Sequence, residues 1–221
     1  MVLEHRKEVD LSPYNTLGLP SVCQNLVRFQ SLNDLQSALE FAHKQDIPCF
    51  VMGGGSNVLL PEYLPGVVLQ SSDKSICFNG DEVTVGAGAV WDELVAETLK
   101  NGLFGLENLS SIPGTVGAAP IQNIGAYGVE LDRFVVSVEV LDMQNGLGAT
   151  LSADECQFQY RDSLFKRHPE CFVVTRLTLK LNTRFKPVLT YQDLQNLPAQ
   201  STASPQGLRP VQTMKRAVLL F

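Results

Sequence analysis

Apolar and polar positions divide the first part of the chain into a strand, a helix and a second strand. Residues 25–29 set Leu26 and Phe29 around Val27 and Arg28 and read as a short strand. Ser31 and Asp34 then form a capping pair ahead of Leu32, Leu35, Leu39 and Ala42, which recur at helical spacing. Pro48 ends that element, and residues 49–52 (CFVM) read as a short buried strand. Residues 67–69 predict another strand, and residues 76–78 and 83–85 flank Asn79-Gly80, a type I′ hairpin signal. A helix is predicted over 91–100, with Leu94, Val95, Thr98 and Leu99 on its apolar face and Asn101-Gly102 closing it. Residues 134–142 alternate cleanly up to an Asn145-Gly146 turn, and Ser152 with Glu155 predicts a capped short helix. Residues 171–181 form a long alternating strand, with Phe172, Val174, Arg176, Thr178 and Lys180 on one face and Val173, Leu177, Leu179 and Leu181 on the other. From Pro187 the pattern becomes a loop, with a last helix predicted over 211–216.

Two glycine-rich stretches interrupt this pattern. Gly53, Gly54, Gly55, Ser56 and Asn57 follow directly on a predicted strand end. Several backbone N–H groups can converge there on an anion. The stretch lacks the Lys-Ser/Thr pair of a P-loop and the opening helix of a dinucleotide fingerprint. The plainer reading is a turn that reverses the chain. The second stretch, IPGTVGAAPIQNIGAYG over 112–128, is uncharged and holds Gly114, Gly117, Gly125 and Gly128. Either its backbone takes positive φ or approaches a ligand closely, or it is an irregular buried loop. GAGAVW at 86–91 ends in Trp91 where a fingerprint needs glycine, so Gly86 and Gly88 predict a close crossing of the chain instead.

Composition narrows the chemistry. The 221 residues suit one large domain or two small ones, and 44% hydrophobic content is ordinary for a globular chain. A net charge of −6 makes nucleic acid a poor partner, and no apolar run has bilayer-spanning length. The N-terminus lacks the apolar core of a secretory signal, and five scattered cysteines without C-x-x-C spacing read as reduced thiols of a cytoplasmic protein. His5, His43 and His168 lie far apart, so no metal site is expected. Arg161, between Tyr160 and Asp162, is the only cation in residues 158–165; it suits a carboxylate gripped by two N–H donors, or else it pairs with Asp162 or Glu155. Tyr191, on a Pro-flanked loop, reads as a ligand lid or a surface ring.

The strings GGGSNVLL, GLENLSSIPGTVGAAPIQNIGAYGVEL, CQFQYRDSLFK and PVLTYQDL, with NTLGL near the start, resemble the UDP-N-acetylenolpyruvoylglucosamine reductase family and stand in its order. The resemblance implies an α+β, vanillyl-alcohol-oxidase-like FAD-binding (PCMH) fold of two subdomains, at residues 1–70 and 71–186. It implies FAD held by Gly53, Gly54, Gly55, Ser56 and Asn57 at its pyrophosphate. Ile112, Pro113, Gly114, Gly117, Ile121, Asn123, Gly125, Ala126 and Tyr127 would line the pyrophosphate and isoalloxazine. It also implies NADPH as reductant and UDP-N-acetylglucosamine enolpyruvate as substrate, with Arg161 as the catalytic residue on the substrate carboxylate. Tyr160 would support that site and Tyr191 would cover it; the protein would act as a monomer. The family continues with a substrate domain carrying a proton-donating serine and a later glutamate. Residues 187–221 hold neither, and Val218 to Phe221 stand where the family has Lys-Leu-Pro-Asp-Pro, so a truncated chain with poor activity is expected. Another flavin oxidoreductase of the same fold and a non-catalytic remnant are the alternatives.

Overall fold

Strand–helix–strand segments place a glycine loop at the edge of one sheet, and a second sheet brings the other glycine stretch against it. The computed structural model describes residues 4–189. The first sheet contains β1 (Glu4–Asp10), β2 (Val22–Phe29), β3 (Cys49–Val51) and β4 (Tyr63–Ser71) in the order β1-β2-β4-β3. β2 and β3 flank the helix α1 (Leu32–Gln45) in sequence, yet β4 inserts between them and pairs parallel with both. The predicted capping box forms: Ser31 Oγ accepts the Asp34 N–H, and the Asp34 carboxylate accepts the Ser31 N–H at 3.0 Å. The helix stops at Asp46 in the left-handed region.

The second sheet contains β5 (Ile76–Asn79), β6 (Glu82–Gly86), β9 (Val135–Asp142), β10 (Gly148–Ser152) and β11 (Phe172–Lys180) in the order β10-β9-β11-β6-β5, all antiparallel. Between β6 and β9 lie α2 (Trp91–Lys100), a 3-10 helix at Val116–Gln122, and the two-residue strands β7 (Gly125–Ala126) and β8 (Val129–Glu130). α3 (Leu164–Arg167) precedes β11. α2 buries Leu94, Val95 and Thr98 of the predicted face, together with Trp91, against the large core that β6, β9 and β11 share, while Leu99 is only partly buried. Among the described residues no helix is long and apolar enough to cross a membrane.

Four local expectations change. β3, expected to be a buried strand, is an edge strand on which Phe50 and Val51 are exposed. Asn79 pairs with Glu82, so the hairpin loop is Gly80-Asp81, and only Gly80 has positive φ (+62°). That is the II′ pattern, one residue later than the Asn-Gly signal indicated. Ser152 and Glu155 do exchange hydrogen bonds, but residues 153–157 form a turn rather than a helix, ending at Gln157 with φ 48°. In β11 the register shifts between Val174 and Arg176, leaving Thr175 as an extra residue. This bulge reverses the alternation: Val173 packs with α1, while Val174, Leu177, Leu179 and Leu181 pack in the large core. Val173 therefore does not share a face with Leu177.

Candidate active site

Both glycine stretches face one cleft of about 820 Å³ between the two sheets, within the range of cofactor pockets. Gly53 to Asn57 leave β3 and fold against residues 113–122. Ser56 Oγ donates to the Pro113 carbonyl at 3.2 Å, and Asn57 Nδ2 lies 3.4 Å from Gln122 Oε1. The approach requires glycine: a Cβ at Gly54 would stand 3.2 Å from Gly114 Cα, and one at Gly53 would stand 2.8 Å from Thr115 Oγ1. Gly55, at φ +66°, lies under Tyr14, whose carbonyl oxygen a Cβ would overlap. Gly117 packs on Ala87, and Gly88 passes under the Ser71 carbonyl, the close crossing that the sequence predicted.

The residues ahead of the second stretch are held by α2. Trp91 Nε1 donates to the Leu109 carbonyl at 2.8 Å, and Asp92 accepts from Ser110 Oγ and the Ser111 N–H, both at 2.8 Å. Glu107 is buried; its Oε2 accepts the Gly105 N–H at 2.8 Å and its Oε1 has no partner among the described residues. Burial pushes its carboxyl above the ordinary range.

Three hydrogen bonds sew residues 159–163 onto the end of the second glycine stretch. Asn123 Nδ2 donates to the Gln159 carbonyl at 3.1 Å, Arg161 Nη2 to Gly125 O at 2.7 Å, and Ser163 Oγ to Ile121 O at 2.6 Å. The structure thus brings together the two clusters that the sequence singled out separately. Arg161 itself takes φ 53°, and Lys166 Nζ donates to its carbonyl at 2.7 Å. Asp162 pairs with Arg167, which holds the Asp162 carboxyl below its usual range, and Glu155 accepts from Ser152. Arg161 therefore has no carboxylate partner among the described residues. Tyr160 is 79% exposed, with its ring centroid 6.0 Å from Arg161 Cζ.

Of the residues predicted to hold a cofactor, Gly53 to Asn57, Ile112, Pro113, Gly117 and Ile121 line the cleft. Gly114, Asn123, Gly125, Ala126 and Tyr127 stand behind or beside that wall. Asn123 is wholly buried with φ 44°, and its Oδ1 accepts the Asp132 N–H at 3.0 Å. Tyr191 lies outside the described residues. No role was predicted for Ser163, Thr115 or Ala118, nor for the cations Arg28, Lys74 and Lys166; all of these but Ser163 line the cleft. Thr115, Ala118, Ser163 and Lys166 stand in the strings that carry the family resemblance, but nothing in those strings marks a role for them, while Arg28 and Lys74 lie outside every such string.

The site fits an extended dinucleotide. Among the described residues no protein acceptor takes the backbone N–H groups of Gly53 to Asn57. Unpaired N–H groups of this kind suit an anion, and no acidic side chain lines the cleft. Ile112, Ile121, Ile124, Phe172 and Val174 give the same cleft an apolar wall.

A family described as FAD binding domain matches residues 23–152. The chain belongs to that family. Its sequence is 41% identical over 211 residues to a UDP-N-acetylenolpyruvoylglucosamine reductase of Pseudomonas aeruginosa, covering 93% of this chain and 62% of that protein. The Escherichia coli reductase of the same name is also 41% identical, with 89% of this chain and 58% of that protein covered. The chain thus spans about three fifths of the length of these curated relatives. The crystal structure of the reductase from Thermus caldophilus superposes with a TM-score of 0.71 at 29% identity, covering 98% of this chain and 69% of that one. 6-Hydroxy-D-nicotine oxidase of Arthrobacter nicotinovorans, at 20% identity and a TM-score of 0.61 over 81% of this chain and 42% of that chain, shares the fold. The α+β, oxidase-like FAD-binding architecture expected from the sequence is the one observed.

Proposed function

We propose that the chain holds FAD in the cleft and forms the flavin-binding part of a UDP-N-acetylenolpyruvoylglucosamine reductase. NADPH is the reductant, UDP-N-acetylglucosamine enolpyruvate the substrate, and UDP-N-acetylmuramate for peptidoglycan the product. The protein acts as a cytoplasmic monomer, with residues 1–70 and 71–186 as the two subdomains that close on the cofactor. The observation that carries this reading is the pair of glycine stretches forming adjoining walls of one cleft, with Arg161 tied to the end of the second.

In this reading the N–H groups of Gly53 to Asn57 hold the pyrophosphate. Ile112, Pro113, Gly117 and Ile121 lie along the flavin, and Gly114, Asn123, Gly125, Ala126 and Tyr127 fix the shape of that wall. FAD, when bound, supplies a carrier that accepts hydride from a nicotinamide and returns it to a carbon centre. Arg161, with no carboxylate of its own among the described residues, presents its fork to the substrate carboxylate and favours negative charge developing beside it. The Lys166 ammonium, bonded to the Arg161 carbonyl, keeps that residue in its left-handed conformation. Tyr160 supports the site and Tyr191 covers it.

The test is flavin uptake by the purified chain, followed by anaerobic addition of NADPH. One equivalent of bound FAD, bleached by NADPH, is expected, with Arg161→Lys leaving FAD uptake unchanged. A chain that stays colourless in excess FAD refutes the cofactor assignment. Bound flavin reduced by a simple alcohol and not by NADPH assigns the chain to the oxidases instead.

A further inference from the structure

We propose that His168, Glu170, Cys171 and Gln144 form a zinc-binding site where the α3–β11 loop meets the turn after β9. His168, Glu170 and Cys171 stand within four consecutive residues, and Gln144 comes from the turn after a different strand. Folding brings one ligand atom each from His168, Glu170 and Cys171 within 4.8 Å of one another. The Cys171 Sγ–Glu170 Oε1 distance is 3.5 Å, and the Cys171 Sγ–Gln144 Nε2 distance is 3.6 Å.

Tetrahedral zinc has Zn–S bonds of about 2.3 Å and Zn–N or Zn–O bonds of about 2.0–2.1 Å, which puts neighbouring ligand atoms roughly 3.3–3.6 Å apart. Two edges from the sulfur already have that length. The separations from His168, at most 4.8 Å, close by up to about 1.5 Å through rotation of side chains that are exposed at His168 and Glu170, and Gln144 is exposed as well. A flip of the Gln144 amide presents its oxygen in place of its nitrogen.

The backbone holds the ligands in place. The Cys171 N–H donates to the His168 carbonyl at 3.1 Å, and the Met143 N–H donates to the Cys171 carbonyl at 2.8 Å. Asp142 accepts the Gln144 N–H at 2.8 Å and orients that residue behind the ligands. One thiolate, one imidazole, one carboxylate and one amide oxygen make a borderline-soft set, suited to zinc and poorly suited to magnesium or calcium. Binding would staple the loop before β11 to the end of β9. Pro169 and Phe172, beside the ligands, belong to the cleft wall. The inference does not depend on what the cleft binds.

The test uses the untagged chain, stripped with a chelator and titrated with cobalt(II), then zinc(II). One equivalent of cobalt is expected to produce a thiolate charge-transfer band and tetrahedral ligand-field bands, which zinc abolishes, and zinc is expected to raise the melting temperature. Cys171→Ser should remove the charge-transfer band, and His168→Gln should weaken binding by at least about tenfold. Cys77→Ser, at an exposed thiol elsewhere, should change neither. If Cys171→Ser fails to fold, His168→Gln and Gln144→Ala carry the test at exposed positions. A missing charge-transfer band in excess cobalt, a band lost in Cys77→Ser, or an affinity unmoved by His168→Gln and Gln144→Ala overturns the proposal.

Discussion

Gly55→Ala separates a cofactor cradle from an ordinary turn. Gly55 has φ +66°, a conformation that costs an L-residue about 1–2 kcal/mol. The added Cβ would overlap the Tyr14 carbonyl oxygen and stand 2.9 Å from Asn15 Cα, both backbone atoms. The lead-in at residues 14–16 must then move. That strains the hydrogen bond from the Thr16 N–H to the Gly55 carbonyl (3.1 Å) and the longer one from Thr16 Oγ1 (3.4 Å), at about 1 kcal/mol each. The total is about 3 kcal/mol, felt at the loop whose N–H groups are proposed to hold FAD. Expressed fully there, it weakens FAD roughly a hundredfold. Gly80→Ala is the control: its φ is +62°, and a Cβ there meets nothing within 4 Å. It should cost about 1 kcal/mol of stability and leave FAD affinity unchanged. Flavin fluorescence titration and thermal melts of both variants read the two effects. Equal FAD affinities in the two variants would refute the reasoning.

Three further outcomes are expected. Burial raises the Glu107 carboxyl above its reference value of 4.5, so its folded-state value exceeds the unfolded one. Its contribution to stability is complete below that reference and is lost as pH rises through the raised value; relative to the native chain, Glu107→Gln should lack this fall in urea midpoints between acid and neutral pH, and parallel profiles would contradict it. Asn123→Ala removes a buried amide from the Gln159 carbonyl, Glu130 and the Asp132 N–H, and should cost about 3 kcal/mol, or roughly 6–12 °C in a thermal melt for a domain of this size. Ser31→Ala leaves the Asp34 N–H uncapped and should cost about 1 kcal/mol, seen as a lower denaturant midpoint with an unchanged slope.

Signals local to a few residues carried through to the fold. The capping box at Ser31, the apolar face of α2 and the close crossing at Gly86 and Gly88 depend on neighbours within a turn or on the loss of a side chain. Departures arise where one residue shifts a phase. Asn79 joins a strand pair and hands the turn to Gly80, while Thr175 bulges and sends Val173 to the opposite face. Alternation counts positions and cannot register an inserted residue, because the cause lies in the partner strand. At the candidate site the glycine strings stood out because dense glycine has few other uses. Ser163 and Lys166 did not, because their partners, the Ile121 and Arg161 carbonyls, are backbone groups that leave no mark in a sequence. The distance from His168 to Gln144 along the chain likewise hid what the sheet brings together.

The bulge at Thr175 also has a thermodynamic consequence. One strand sends Val173 into the packing around α1 and Val174, Leu177 and Leu179 into the packing around α2. Leu141 on the neighbouring strand joins Val173, while Val138 and Val140 join the other side. Neither half can open fully without stripping apolar partners from the other. The two halves are therefore expected to melt as one cooperative unit, with the central amides of β11 exchanging with solvent through global unfolding.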